Sequence, residues 1–289
     1  MATTVDDWVA GARPRTLWTA ITPVLVGTAA ANAVGASDWL LAVLALGVGL
    51  ALQVGVNYAN DYSDGIRGTD VDRIGPDRLT STGKATPSAV RFAALASLGV
   101  GAVLGLILVA LSGFWWLLGV GVVAIVAAWY YTGSKRPYGY AGWGEVSVFM
   151  FFGPVATLGT MYTQSGTVTW WAVLASFALG LYAVAMLLVN NIRDIETDAA
   201  AGKRTLAVRV GDHDARRLYS AAIMLPLLFT IFIAFEFPWV LMTLVLALPV
   251  LILAFGMRLR VGPSLGPMFL GTSAVGFFYG VLLAVGIAL

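Results

Sequence analysis

Nine apolar runs, each close to the length of a bilayer crossing and nearly free of charge, govern what this chain can fold into. They cover residues 16–34, 39–59, 91–111, 114–132, 144–163, 169–190, 216–235, 238–257 and 267–288. A hydrocarbon core takes roughly 20 apolar residues per helix. Lipid offers no hydrogen bonds, so a crossing backbone must pair with itself. Uninterrupted apolar runs do this as helices, whereas a barrel needs alternation. The chain is 59% hydrophobic, 11% charged and has a mean hydropathy of +0.86. Soluble proteins carry about 25% charged residues, so no soluble domain can be carved out of it. The expectation is an all-α polytopic membrane bundle, a single domain over residues 1–289.

Composition closes several routes to function. There is no cysteine, which excludes disulfides, thiolate metal sites and cysteine nucleophiles. The lone His213 cannot make a histidine metal site and reads as solvated. A net charge of +2 points to no nucleic-acid partner, and no protein partner is inferred. Arg13 and Arg15 precede an apolar stretch ending in Ala29–Ala31, in the manner of a signal peptide. The length of that stretch, its Pro23 and the spans that follow at once favour a retained first helix.

Lysine and arginine set the orientation. With nine spans, all 17 fall on one side: before the first run, and after the second, fourth, sixth and eighth. The opposite short loops hold only Asp38 and Glu236. The positive-inside rule then places the N-terminus and the basic loops in the cytoplasm and the C-terminus outside.

Two acidic clusters occupy matching places in this scheme. Asn57-Tyr-Ala-Asn60-Asp61-Tyr-Ser-Asp64 closes the second run, and Asn190-Asn191-Ile-Arg193-Asp194-Ile-Glu196-Thr-Asp198 closes the sixth. On helices, Asn57, Asp61 and Asp64 share one face, as do Asn190, Asp194 and Asp198. One such cluster reads as a solvated loop end. Two of them, each led by asparagine and each opening a long basic connection, point to Mg²⁺ and phosphate. Mg²⁺ takes a few protein oxygens and completes its shell with phosphate and water. The repeat suggests two parallel four-helix halves with a ninth helix appended. Arg73, Arg78, Lys84, Lys135, Arg193, Lys203 and Arg204 are candidate diphosphate contacts, with Arg73, Lys135 and Lys203 foremost. Tyr131 and Lys135 form either a phosphate contact or an interfacial aromatic beside an anchoring lysine. Gly101 and Gly105 suggest close helix packing. Pro23, Pro154, Pro226 and Pro249 suggest kinks. Gln53 and Gln164 read as buried polar contacts between helices.

These residues resemble the UbiA superfamily of intramembrane aromatic prenyltransferases. That family carries an acidic motif after its second helix, matched by Asn57 to Asp64. It carries another after its sixth, matched by Asp194 to Asp198, and a tyrosine–lysine element after its fourth, matched by Tyr131 and Lys135. Supporting stretches are Arg13–Leu17, Thr22–Gly27, Arg136–Tyr140, Gly144–Val146, Val189–Asp198 and Gly202–Leu206. The likeness covers nearly the whole chain. It is nearest to members that prenylate 1,4-dihydroxy-2-naphthoate on the way to menaquinone.

The resemblance implies a cavity open to the cytoplasm, a polyprenyl diphosphate donor whose tail lies in membrane lipid, and Mg²⁺ as cofactor. It implies metal ligands among Asn57, Asp61, Asp64, Asn190, Asp194 and Asp198. Diphosphate contacts would come from Arg73, Lys135, Arg193, Lys203, Arg204, Asn60 and Asn191. The catalytic set would be Asp61, Asp64, Asp194, Asp198, Tyr131 and Lys135. Asp64 follows Asp61 by three residues, not four, which leaves open which members of the first cluster bind metal directly. Other acceptors, such as 4-hydroxybenzoate or homogentisate, stand as the alternative within the superfamily. An anionic-solute transporter is the alternative outside it, disfavoured because no run carries a central charge.

Overall fold

The computed structural model describes residues 3–68, 78–134 and 137–289. Every regular element among them is helical. A short α1 (Val5–Ala12) opens the chain. The Thr4 hydroxyl accepts from the Asp7 amide while the Asp7 carboxylate accepts from the Thr4 amide, a reciprocal cap. A 3₁₀ turn, Pro14–Thr16, leads into α2 (Trp18–Ala33), followed by α3 (Trp39–Arg67), α4 (Pro87–Ser112) and α5 (Leu117–Tyr130). The next run is α6 (Gly144–Met150), a π-helical turn over Phe151–Val155 and α7 (Ala156–Ser165), continuous as one span. Then come α8 (Trp170–Arg193), α9 (Ile195–Ala200), α10 (Leu206–Val210) and α11 (Asp212–Ile233). A 3₁₀ segment, Pro238–Leu246, passes into α12 (Ala247–Leu259), and α13 (Gly266–Ala288) ends the fold.

Seven of these runs are long and apolar enough to cross a membrane: Trp39–Arg67, Pro87–Ser112, Gly144–Ser165, Trp170–Arg193, Asp212–Ile233, Pro238–Leu259 and Gly266–Ala288. The two remaining expected spans are helical but shorter. α2 has 16 residues and α5 has 14. Pro14 and the 3₁₀ turn delay the start of α2. Gly113, at φ 78°, ends α4 and the chain turns before α5 begins. Pro154 lies inside the π turn, where its missing N–H is accommodated by the widened helix. Pro249 sits in the first turn of α12, where a donor is not needed.

Helix α8 is the axis of the molecule. Trp171, Ala175, Ala178, Leu179, Tyr182, Ala185, Leu188, Val189 and Ile192 are all buried, on most sides of the helix. It packs against α2, α6, the π turn, α7, α10, α11 and α13. Small residues let backbones touch there. A Cβ added to Gly153 would lie 2.6 Å from the Ser176 carbonyl, and one added to Gly180 would lie 2.8 Å from the Phe149 carbonyl. The same device joins α13 to α2, with Gly276 beneath the Trp18 ring and Gly280 against Thr22. Trp18 Nε1 donates to Ser273 Oγ at 2.7 Å, and Ser273 donates to the Arg15 carbonyl at 2.7 Å, tying α13 to the start of α2. Gly101 meets Leu52 and Ala51 at the α3–α4 contact, as the small-residue spacing anticipates. This packing holds the C-terminal ends of α3 and α8 beside each other.

Candidate active site

A polar cavity opens where those two ends meet. Helix α3 contributes Asn60 and Asp64, and α8 contributes Leu187, Asn190 and Asn191. Asp194, Thr197 and Asp198 follow at the turn into α9. Arg13, Arg78, Lys203 and Thr205 bring cations and a hydroxyl from three connections. Tyr131, Thr132 and Tyr140 complete the wall. The connection 194–205 is held in place from its backbone. Lys203 donates its amide to the Asp198 carbonyl and Arg204 donates its amide to the Tyr140 carbonyl, both at 2.8 Å.

Asp64 and Asp194 are buried and Asp198 is half-buried, and each is met by a cation. Asp64 accepts from the Tyr140 hydroxyl. Arg78 Nη2 lies 3.7 Å from its Oδ2, and Lys203 Nζ lies 3.9 Å from its Oδ1. Lys203 also lies 3.5 Å from Asp198 and 4.8 Å above the Tyr140 ring. One ammonium therefore bridges the α3 carboxylate to the α9 carboxylate. Arg193 grips Asp194 through both oxygens, at 2.7 Å each. Burial pushes the Asp198 carboxyl up to about 6. Lys203 draws it down, while Asp194 and Asp64 push it further up.

Hard oxygen donors facing buried cations suit an anion carried with a divalent metal. Residues 20–265 match the UbiA prenyltransferase family. The chain belongs to that family. A 1,4-dihydroxy-2-naphthoate octaprenyltransferase of Mycobacterium tuberculosis is 52% identical over 83% of this chain and 82% of its own. The enzyme of the same name from Mycobacterium leprae is 45% identical over 96% and 95%, and that from Escherichia coli is 41% identical over 75% and 72%. Among solved structures, a UbiA homolog from Archaeoglobus fulgidus bound to GPP and Mg²⁺ shares the fold with a TM-score of 0.67, at 17% identity, over 96% of this chain and 99% of that one. A UbiA homolog from Aeropyrum pernix gives a TM-score of 0.68 at 16% identity, over 94% and 96%.

Of the residues singled out in the sequence, the fold of this UbiA family member brings Asn60, Asp64, Arg78, Tyr131, Asn190, Asn191, Asp194, Asp198 and Lys203 to the cavity. Asn57 and Asp61 are buried beside it, outside its lining. Asn57 Nδ2 donates to the Ala12 carbonyl at 2.8 Å and to Thr16 Oγ1 at 3.2 Å. Both Asp61 oxygens accept backbone amides, Leu79 at 2.8 Å and Thr80 at 2.9 Å. The side chain of Arg193 is turned to Asp194, and that of Arg204 is exposed. Arg73 and Lys135 lie outside the described residues.

Sequence reasoning passed over Arg13, which charge counting assigned to membrane orientation. Arg13 is the single non-glycine residue with positive φ among those described, at 55°. Its Nη2 is buried at the cavity, with no hydrogen-bond partner among the described residues. Strained backbone of this kind gathers at functional sites. Arg67 was passed over too. It donates to the carbonyls of Thr132, at 2.7 Å, and of Ser134, and so pins the 131–134 segment against α3. Thr132 in turn donates to Asn60 Oδ1 at 2.7 Å.

The two amides on Asp61 generate a prediction. Asp61→Ala leaves both unpaired, at about 1–3 kcal/mol for each buried amide. The thermal midpoint in detergent is expected to fall by several degrees, and by less for Asp61→Asn, which keeps one acceptor oxygen. An unchanged midpoint for the alanine variant contradicts the anchoring role.

Proposed function

We propose that this enzyme transfers a polyprenyl group from a prenyl diphosphate to 1,4-dihydroxy-2-naphthoate, releasing diphosphate and CO₂ and giving the demethylmenaquinone skeleton. The observation that carries the reading is its 52% identity to a mycobacterial enzyme named for that transfer, in a chain whose two acidic clusters line one cavity.

The donor set fits Mg²⁺. Among the described residues no three acidic or histidine side chains gather tightly enough to hold a metal by themselves. Mg²⁺ does not require that, because it binds through one or two carboxylates together with substrate phosphates. Asp64, Asp194 and Asp198 are the carboxylates proposed to hold it, with the amide oxygens of Asn60 and Asn190 in reach of the same cavity. The sequence-derived ligands Asn57 and Asp61 support this set from behind, by fixing α1 and the segment that carries Arg78. When bound, Mg²⁺ supplies Lewis-acid stabilisation of the departing diphosphate. Lys203, Arg78 and Arg13 hold the remaining anionic oxygens, in a site dry enough for those contacts to count. Lys135 and Arg73 belong to the same proposal from the family motif and the loop that bears them. Tyr131 and Tyr140 line the cavity, and an aromatic wall favours an allylic cation through cation–π attraction and helps keep it from water.

The decisive assay uses purified protein in detergent with Mg²⁺, a radiolabelled polyprenyl diphosphate and each aromatic acceptor in turn. Labelled product is expected from 1,4-dihydroxy-2-naphthoate and not from 4-hydroxybenzoate or homogentisate. EDTA is expected to abolish it and Mg²⁺ to restore it. Preferred turnover of another acceptor, or activity that survives chelation, contradicts the proposal.

We extend the proposal to topology. α2 and α5 complete nine crossings of the cell membrane, with the cavity and the N-terminus in the cytoplasm and the chain folded as one domain. In intact cells, a cysteine replacing Ser37 is expected to react with an impermeant maleimide and one replacing Ser81 to resist it. The opposite pattern reverses the orientation.

A further inference from the structure

Glu145 is a carboxylate that the reaction described above leaves unused. It lies in the first turn of α6, 5% exposed. Its Oε1 accepts from Asn191 Nδ2 at 2.8 Å. Its Oε2 is buried and has no hydrogen-bond partner among the described residues. No lysine or arginine among the described residues forms an ion pair with it. A carboxylate in a membrane-spanning run without a cation is costly, and such a residue calls for a functional reason. Packing alone does not require a charge at this position.

The partner supplies the reason. Asn191 lines the cavity, between Asn190 and Asp194. The Asn191 amide turns its NH₂ toward Glu145, and the carboxyl oxygen it meets acts as the acceptor. Its Oδ1 has no partner among the described residues and is left on the cavity side. The wall nearby is closely fitted: a Cβ added to Gly144 would lie 3.0 Å from the Tyr131 hydroxyl.

We infer that Glu145 is a positioning residue that makes Asn191 a hydrogen-bond acceptor for a ring hydroxyl of the aromatic acceptor. The inference rests on the proposed prenylation reaction. Among its components, a diphosphate carries only acceptor oxygens and offers Asn191 Oδ1 nothing. The dihydroxylated ring carries two donors. Mg²⁺ accepts the same oxygen, and the experiment has to separate the two.

Steady-state kinetics in detergent do so, with the acceptor, the prenyl diphosphate and Mg²⁺ varied in turn. Wild-type turnover of the naphthoate is the control for the reaction itself, and its absence rejects the proposed function without bearing on Glu145. Given that turnover, Glu145→Ala is expected to raise KM for the naphthoate about tenfold, the size of one net hydrogen bond. KM for the prenyl diphosphate and the Mg²⁺ activation constant are expected to stay within about twofold. Glu145→Gln keeps an acceptor oxygen for Asn191 and is expected to recover most of the loss. Asn191→Ala is expected to match Glu145→Ala, and the double variant to be no worse than Asn191→Ala alone.

The two monomethyl ethers of the acceptor give a second readout. With one of them, wild type and Asn191→Ala are expected to have the same KM, because the donor is gone. If Glu145→Ala is not recovered from membranes, the Asn191 variants and the ethers decide the matter. Additive effects of the two substitutions, a change confined to Mg²⁺ or prenyl diphosphate, or an Asn191→Ala defect that persists with both ethers overturns the inference.

Discussion

Asp64, Asp194 and Asp198 converge from two helix ends at the edge of an apolar bundle, and their charge must be met there. Lys203 stands between Asp64 and Asp198, while Arg78 and Arg193 hold the outer carboxylates. Burial raises the Asp198 carboxyl; Lys203 opposes the rise, and Asp194 and Asp64 add to it. A site poised in this way gains from a divalent cation arriving with an anion, since the cation relieves the carboxylates and the anion engages the basic groups. The rest of the structure serves that convergence. Close backbone packing of Gly153 against α8 and of Gly180 against α6 fixes the height of α8, and Asp61 and Arg67 clamp the flanking segments to α3.

Much of this was legible in the sequence, for identifiable reasons. Apolar runs announce helices because lipid leaves the backbone no other partner. Seven of the nine are long and apolar enough to cross a membrane, and α2 and α5 fall short because Pro14 and Gly113 set local turns that hydropathy does not register. The paired clusters announced the cavity because helical spacing puts Asn190, Asp194 and Asp198 on one face. Spacing alone could not tell Asp61 from Asp64. Both lie on the inner face of α3, but the backbone of residues 79 and 80 folds onto Asp61 and takes both its oxygens. That contact spans 18 positions in sequence and leaves no local signal.

Arg13 and Glu145 were hidden for different reasons. Arg13 sits among basic residues that orientation explains, and only its left-handed backbone and unpartnered guanidinium nitrogen distinguish it. Glu145 sits at the start of an apolar run, where a carboxylate reads as a helix N-terminal charge. Its burial and its bond to Asn191 become visible only once α6 is packed against α8. Membership of the UbiA prenyltransferase family supplies the chemistry, and the helix packing supplies the placement of each group.

The central claim is that the ends of α3 and α8 grip one metal-bound diphosphate together. A structure of the protein with Mg²⁺ and an unreactive thio-diphosphate analogue of the prenyl donor tests it most directly. The account predicts metal density in contact with oxygens of both the Asp64 side and the Asp194–Asp198 side, with Lys203 moved onto the diphosphate. Density bound to one cluster alone, with Lys203 still bridging Asp64 and Asp198, would contradict it.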